Sequence, residues 1–146
     1  MVCWKSPKKK SLPDLLYAYN FFLLSTPGGN TIAATELTCF LIGTLARPLC
    51  PAYVSMKEGK WDRKLYSGTE LSGKTLAILG LGRIGREVGM RMKVWGMRVI
   101  GYDPITSKED AEAAGIEKMS LDEIWPLADY ITVHVPLLQS TRGKIL

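Results

Sequence analysis

The hydrophobic rhythm of the chain changes near residue 73. Before that point Leu37, Phe40, Leu41, Thr44 and Leu45 fall at i, i+3, i+4, i+7 and i+8, which predicts a helix over 31–47 with one apolar face. The turn cluster Thr26-Pro27-Gly28-Gly29-Asn30 precedes it, and Asn30 or Thr31 is suited to cap the helix. Pro48 and Pro51 are expected to bend or end it. A proline inside a helix loses a hydrogen bond and clashes with the preceding turn, at a cost of about 3 kcal/mol. The polar, turn-rich stretch 59–72 reads as a connecting loop.

From Thr75 onward, short apolar runs alternate with helical patterns. Strands are expected near Thr75 to Leu79, Arg98 to Tyr102, Ile116 to Met119 and Tyr130 to Val135, and helices near Ile84 to Trp95, Lys108 to Ala114 and Leu121 to Leu127. Such alternation implies a parallel sheet covered on both sides. The fold class is therefore α/β: a Rossmann-like, doubly wound parallel sheet, incomplete at about four strands, with an N-terminal helical extension. Gly85, Val88, Gly89 and Met92 share one face of the first of these helices, where small residues permit close approach to the sheet.

At the junction of the first strand and that helix stands Gly80-Leu81-Gly82-Arg83-Ile84-Gly85, with Asp103 eighteen residues beyond Gly85 at the tip of the second strand. Alone, a G-x-G-x-x-G run is weak evidence. In a strand-turn-helix-strand context it reads as a dinucleotide fingerprint. Gly80 makes the tight turn, Gly82 lets backbone approach a pyrophosphate, and Gly85 lets the helix pack on the strand. The helix N-terminus then presents free N–H groups to the phosphates. A carboxylate at position 103 accepts hydrogen bonds from the adenosine ribose and repels a 2′-phosphate, so NAD is expected rather than NADP. Arg83 lies at the helix end where a cation opposes the helix dipole, which a bound anion would reverse.

Other features point to no chemistry. Gly68-Thr69-Glu70-Leu71-Ser72-Gly73-Lys74-Thr75 satisfies the Walker A pattern, yet a polar loop precedes it and a strand follows, the reverse of what phosphate wrapping requires. His134 is the single histidine and has no carboxylate near it in sequence, so a structural or cofactor-adjacent role is expected. Glu109, Asp110, Glu112, Asp122 and Glu123 fall at helix starts as solvated charges.

Composition narrows the picture further. The chain has 146 residues, 47% of them hydrophobic, which suits one domain with a real core. The net charge is +5, but Lys5, Lys8, Lys9 and Lys10 crowd one tail without an aromatic-interleaved stripe, so no nucleic-acid partner is expected. Three cysteines, Cys3, Cys39 and Cys50, show no metal or disulfide spacing and are expected to be reduced thiols, with no metal site. The run Leu15 to Leu24 is too short to span a bilayer, is interrupted by Asn20, and lacks a small-x-small cleavage site, so neither membrane insertion nor export is expected.

Several segments in order carry a family resemblance: Thr26 to Asn30, Ala34-Thr35-Glu36-Leu37-Thr38, Met56-Lys57-Glu58-Gly59-Lys60-Trp61, Gly80 to Arg86, Gly101-Tyr102-Asp103-Pro104 and Thr132-Val133-His134-Val135-Pro136-Leu137. From about Thr26 to Leu146 the chain resembles the D-isomer-specific 2-hydroxyacid dehydrogenases. The resemblance implies NAD as cofactor, Arg83 and Ile84 near the pyrophosphate, Asp103 on the ribose and Val135-Pro136 lining the cofactor groove. It implies oxidation of 3-phosphoglycerate at its secondary alcohol in a complete enzyme, in the cytosol and feeding serine synthesis. It divides the chain into a divergent tail (1–25), an interdomain helix and connecting loop (26–72) and a partial NAD-binding domain (73–146).

The family's catalytic arginine, glutamate and histidine would fall beyond Leu146, and His134 does not match that histidine. No catalytic residue is therefore assigned, and no useful turnover is expected of the chain alone. The 31–47 helix, which in the family helps join domains and subunits, is expected to serve a homo-oligomer or co-assembly with a full-length relative. Stopping near the fourth strand is expected to leave Tyr130 to Val135 as an uncovered apolar edge.

Overall fold

Proline placement decides the first two helices. In the computed structural model, which describes residues 26–139, 141 and 143, helix α1 (Thr31–Ala46) stops before Pro48 and a second helix, α2 (Leu49–Lys57), begins directly after it. The expectation of a bend or end holds, but α2 itself was not anticipated. Its Pro51 sits in the first turn, where the missing N–H would have had no intrahelical acceptor. The expected tail at 1–25 lies outside the described residues.

The face on which α1 packs differs from the expected one. Thr35, Cys39, Ile42 and Ala46 are buried, while Leu37, Phe40, Leu41 and Leu45 are 55–75% exposed. The partner of α1 is the helix α3 (Arg83–Val94), and small side chains let the two approach closely; the bulky row is left facing outward. Asn30 caps α1 through its backbone position, with no side-chain bond. Among the described residues no single helix is long and apolar enough to cross a membrane.

The expected parallel sheet is present. Strands β1 (Thr75–Leu79), β2 (Arg98–Tyr102), β3 (Glu117–Lys118) and β4 (Tyr130–Val133) lie in the order β3-β2-β1-β4, all pairs parallel. Helices α3, α4 (Lys108–Ala113) and α5 (Leu121–Ile124) fill the crossovers. Strand β3 is shorter than expected and α5 ends three residues early in a turn. Short elements survive here because their caps are strong: Ser107 accepts the Asp110 N–H at 3.0 Å, and Ser120 with Glu123 forms a capping box.

The sheet separates two cores. Leu76 and Ile78 point to one face with Val88 and Met92 of α3, while Ala77 and Leu79 point to the other with Ile100 and Ile124. Both faces of β1 are covered, so its sequence is a continuous apolar run without alternation. Gly85, Val88, Gly89 and Met92 are all buried, as their shared face implies. A Cβ on Gly89 would stand 2.8 Å from Ile116 Cδ1, so the glycine sets the distance between α3 and the far edge of the sheet. Strand β4 is an edge in the described sheet, with Ile131 and Val133 half-exposed.

Candidate functional site

The carboxyl ends of β1, β2 and β4 converge, and each contributes a loop to one crevice. That crevice is where an open parallel sheet presents its ligand. After β1 the chain turns at Gly80, whose φ of +99° is costly for any residue with a Cβ. A side chain there would also strike the loop after β4, since its Cβ would lie 2.6 Å from the His134 carbonyl oxygen and 2.9 Å from Val135 Cγ1. The glycine thus allows the β1 and β4 loops to touch.

The other two glycines of the turn differ sharply. A Cβ on Gly85 would collide with the Gly80 carbonyl oxygen, and one on Gly82 would meet nothing within 4 Å. Gly85 is needed for packing, whereas Gly82 faces open space. Gly82 is also the N-cap of α3, with no side chain capping the helix. The first-turn N–H groups therefore face outward without a side-chain acceptor, in an arrangement that fits a diphosphate. Arg83 is exposed beside them and forms no ion pair among the described residues. Ile84 is half-buried against the core, and Arg83, Arg86, Gly28 and Thr31 line a cavity of about 530 Å³ between α3 and the start of α1.

Asp103 reaches into the same turn. Its Oδ2 accepts the Leu81 N–H at 2.8 Å, and its Oδ1 accepts the N–H groups of Ile105 at 2.7 Å and Thr106 at 3.0 Å. Burial alone would raise its pKa, but the bonds from Thr106, Ile105 and Leu81 and the charge of Lys118 hold it below the ordinary carboxylate value. It is ionised at neutral pH. A carboxylate offers about four lone-pair positions, so three N–H donors leave one, on Oδ2, for a further hydroxyl.

The sequence pattern placed Asp103 and the glycine turn together but missed what ties them. Thr106 donates from Oγ1 to the Leu81 carbonyl at 3.4 Å, and Lys118 Nζ donates to the Thr106 carbonyl at 2.5 Å. No spacing rule links position 118 to position 106. Gly101 had a readable signal, a glycine inside a strand: its Cβ would stand 2.7 Å from Leu81 Cδ2.

The remaining residues sort themselves. Val135 is half-buried, with its Cγ1 on the wall beside Gly80, and the Pro136 that follows it is exposed. His134 shares a hydrogen bond with Thr132 Oγ1 at 3.0 Å, and burial pushes its pKa below the ordinary histidine value. The Walker-like segment has no helix after it: Thr75 opens β1, and Lys74 lies 3.8 Å from Asp129. Among the described residues no group of His, Cys, Asp or Glu is arranged to hold a metal, and Cys39 and Cys50 are free thiols.

Comparison with known proteins gives this crevice its context. Residues 39–146 match the family described as D-isomer specific 2-hydroxyacid dehydrogenase, NAD binding domain. The chain is 59% identical over 123 residues to D-3-phosphoglycerate dehydrogenase of Rattus norvegicus, covering 84% of this chain and 23% of that protein. The chain thus spans about a quarter of the length of that curated relative. Its fold is similar to the pyruvate reductase of Chlamydomonas reinhardtii, with TM-score 0.79 and 32% identity over 89% of this chain and 38% of that one. It is also similar to D-lactate dehydrogenase from Aquifex aeolicus complexed with NAD and lactic acid, with TM-score 0.75 and 28% identity over 88% of this chain and 39% of that one.

Proposed function

The chain belongs to the D-isomer specific 2-hydroxyacid dehydrogenases, as part of their NAD-binding domain, and on that premise we propose that it serves the NAD-dependent oxidation of 3-phosphoglycerate, the step that commits carbon to serine. The observation that supports the reading is the bond from Leu81 N–H to Asp103 Oδ2, which sets a carboxylate directly beside the amides of the glycine turn. The substrate is argued from the 59% identity to a phosphoglycerate dehydrogenase.

Each part of the crevice has a task. The opening amides of α3, with Arg83, hold the diphosphate; the remaining lone pair of Asp103 Oδ2 takes a ribose hydroxyl; Val135 and Pro136 wall the groove against water. NAD, when bound, supplies the hydride acceptor. The exposed row Leu37, Phe40, Leu41 and Leu45 is the face by which α1 meets a second copy or a full-length relative.

A second reading is favoured by His134. Its ring meets Thr132 and no carboxylate, so the described residues hold no histidine–carboxylate pair for proton transfer. In this reading the chain binds NAD and assembles with relatives but turns nothing over. Calorimetric titration with NAD, beside NADH production from 3-phosphoglycerate, separates the two. Turnover supports the first reading and binding without turnover the second; absence of NAD binding removes both.

A further inference from the structure

The turn that carries Asp103 is held from outside the fingerprint. Lys118, the last residue of β3, reaches across the sheet edge and donates to the Thr106 carbonyl at 2.5 Å, while the Thr106 N–H is one of the two donors on Asp103 Oδ1. Lys118 and Asp103 line one cavity of about 380 Å³ together with Pro104 and Lys108. The lysine is half-buried, contacts the turn rather than the carboxylate, and makes no ion pair among the described residues. Its charge acts on Asp103 at a distance, as the smallest of the influences that favour the ionised carboxylate. Among the described residues the one carboxylate on the same wall beyond Asp103 is Glu123, already engaged by the Ser120 N–H at 2.9 Å and the Ser120 hydroxyl at 2.6 Å.

We propose that Lys118 is a specificity-determining partner of Asp103: it positions the ribose-binding turn through Thr106, and the Asp103–Lys118 pair, not Asp103 alone, decides between a free 2′-hydroxyl and a 2′-phosphate on the adenosine ribose. With both residues present, the carboxylate occupies the place of a 2′-phosphate and repels it. With Asp103 removed, the Leu81 N–H loses its acceptor and the lysine loses its counter-charge. A donor and a cation then face the vacated position, a pair suited to a phosphate. The inference rests on the NAD reading above.

The test is a cycle of calorimetric titrations with NAD and NADP on the full chain: unaltered, Asp103→Ser, Lys118→Met, and both together. Serine retains a hydroxyl acceptor for the turn amides but no charge. The unaltered chain is expected to favour NAD. Asp103→Ser is expected to bind NADP at least about tenfold more tightly than the unaltered chain does, and adding Lys118→Met is expected to remove most of that gain, a charged hydrogen bond being worth about tenfold or more. Lys118→Arg in the Asp103→Ser background is expected to keep the gain, which a loss of folding would not allow. If NADP binding by Asp103→Ser is indifferent to Lys118→Met, or never appears, the proposal is overturned while the NAD reading stands. If the unaltered chain binds no NAD, the NAD reading has failed and this inference falls with it.

Discussion

The Asp103 carboxylate accepts the Leu81 N–H at 2.8 Å, joining the tip of β2 to the turn after β1 across twenty-two residues. The same group therefore serves the fold and the candidate site at once. Asp103→Ala is expected to lower NAD affinity by about tenfold or more, since a hydrogen bond to a charged acceptor is lost. It is also expected to lower thermal stability, because Leu81, Ile105 and Thr106 lose an acceptor. Its native pKa is depressed, so its contribution is full above the ordinary carboxylate value of 3.8 and disappears as pH falls through the lower native value. NAD affinity measured from pH 8 to pH 5 should show no titration from this residue; an inflection assigned to Asp103 in that range would contradict the bonding described.

Gly82 and Gly85 make a matched pair for separating binding from folding. Gly82 has φ of −69° and open space where a Cβ would go, so Gly82→Ala is expected to leave the melting temperature within a few degrees and still weaken NAD binding by obstructing the diphosphate. Gly85→Ala forces a methyl into the Gly80 carbonyl, and overpacking of this kind costs about 1–3 kcal/mol or more. Differential scanning fluorimetry beside NAD titration reads both outcomes. Equal destabilisation by the two would show that Gly82 is structural as well.

Much of this was legible because glycine and the apolar runs report local geometry. A positive φ at Gly80 and a helix face of Gly85, Val88, Gly89 and Met92 follow from sequence without any long-range knowledge. Residues that act across the sheet were not legible. Lys118 and Thr106 meet only because β3 pairs with β2, and a two-residue strand leaves no periodicity to read. The face of α1 misled for a different reason: the helix is apolar on more than one side, and periodicity cannot say which side meets its own chain.

His134 gives a pH signature for stability. Burial depresses its native pKa below the ordinary 6.5, so the folded chain keeps the ring neutral while the unfolded chain protonates it first. Stability is full above about pH 6.5 and falls as pH drops from there toward the native pKa. His134→Gln is expected to flatten the change in urea midpoint between pH 7.5 and pH 5.5. An unchanged slope in the variant would assign that dependence to another group.

The outward row on α1 predicts self-association. Full burial of a leucine or phenylalanine side chain is worth about 1.5–3 kcal/mol, so three leucines and a phenylalanine exposed on one helix give a strong drive toward a covering partner. Leu41→Glu is expected to reduce the sedimentation-equilibrium mass toward the monomer while far-ultraviolet circular dichroism stays the same. Val133→Lys on the half-exposed edge strand is the control for association through β4. If only the β4 substitution reduces the mass, the α1 face is not where the copies meet.

Lys74 tests the Walker-like segment. A phosphate-binding lysine needs the amides of a following helix around it, yet Lys74 precedes a strand and its nearest acid is Asp129 at 3.8 Å. Lys74→Ala is therefore expected to leave NAD affinity unchanged and to cost no more than about 0.5 kcal/mol, the range of a partly exposed ion pair. Asp129→Ala should cost more, about 1 kcal/mol, since Asp129 Oδ2 accepts the Thr75 N–H at 2.8 Å and helps hold β4 in register with β1. The unaltered chain should show no saturable heat with ATP that Lys74→Ala abolishes. Such a heat would mean that the loop before β1 binds phosphate without the helix that phosphate binding normally requires.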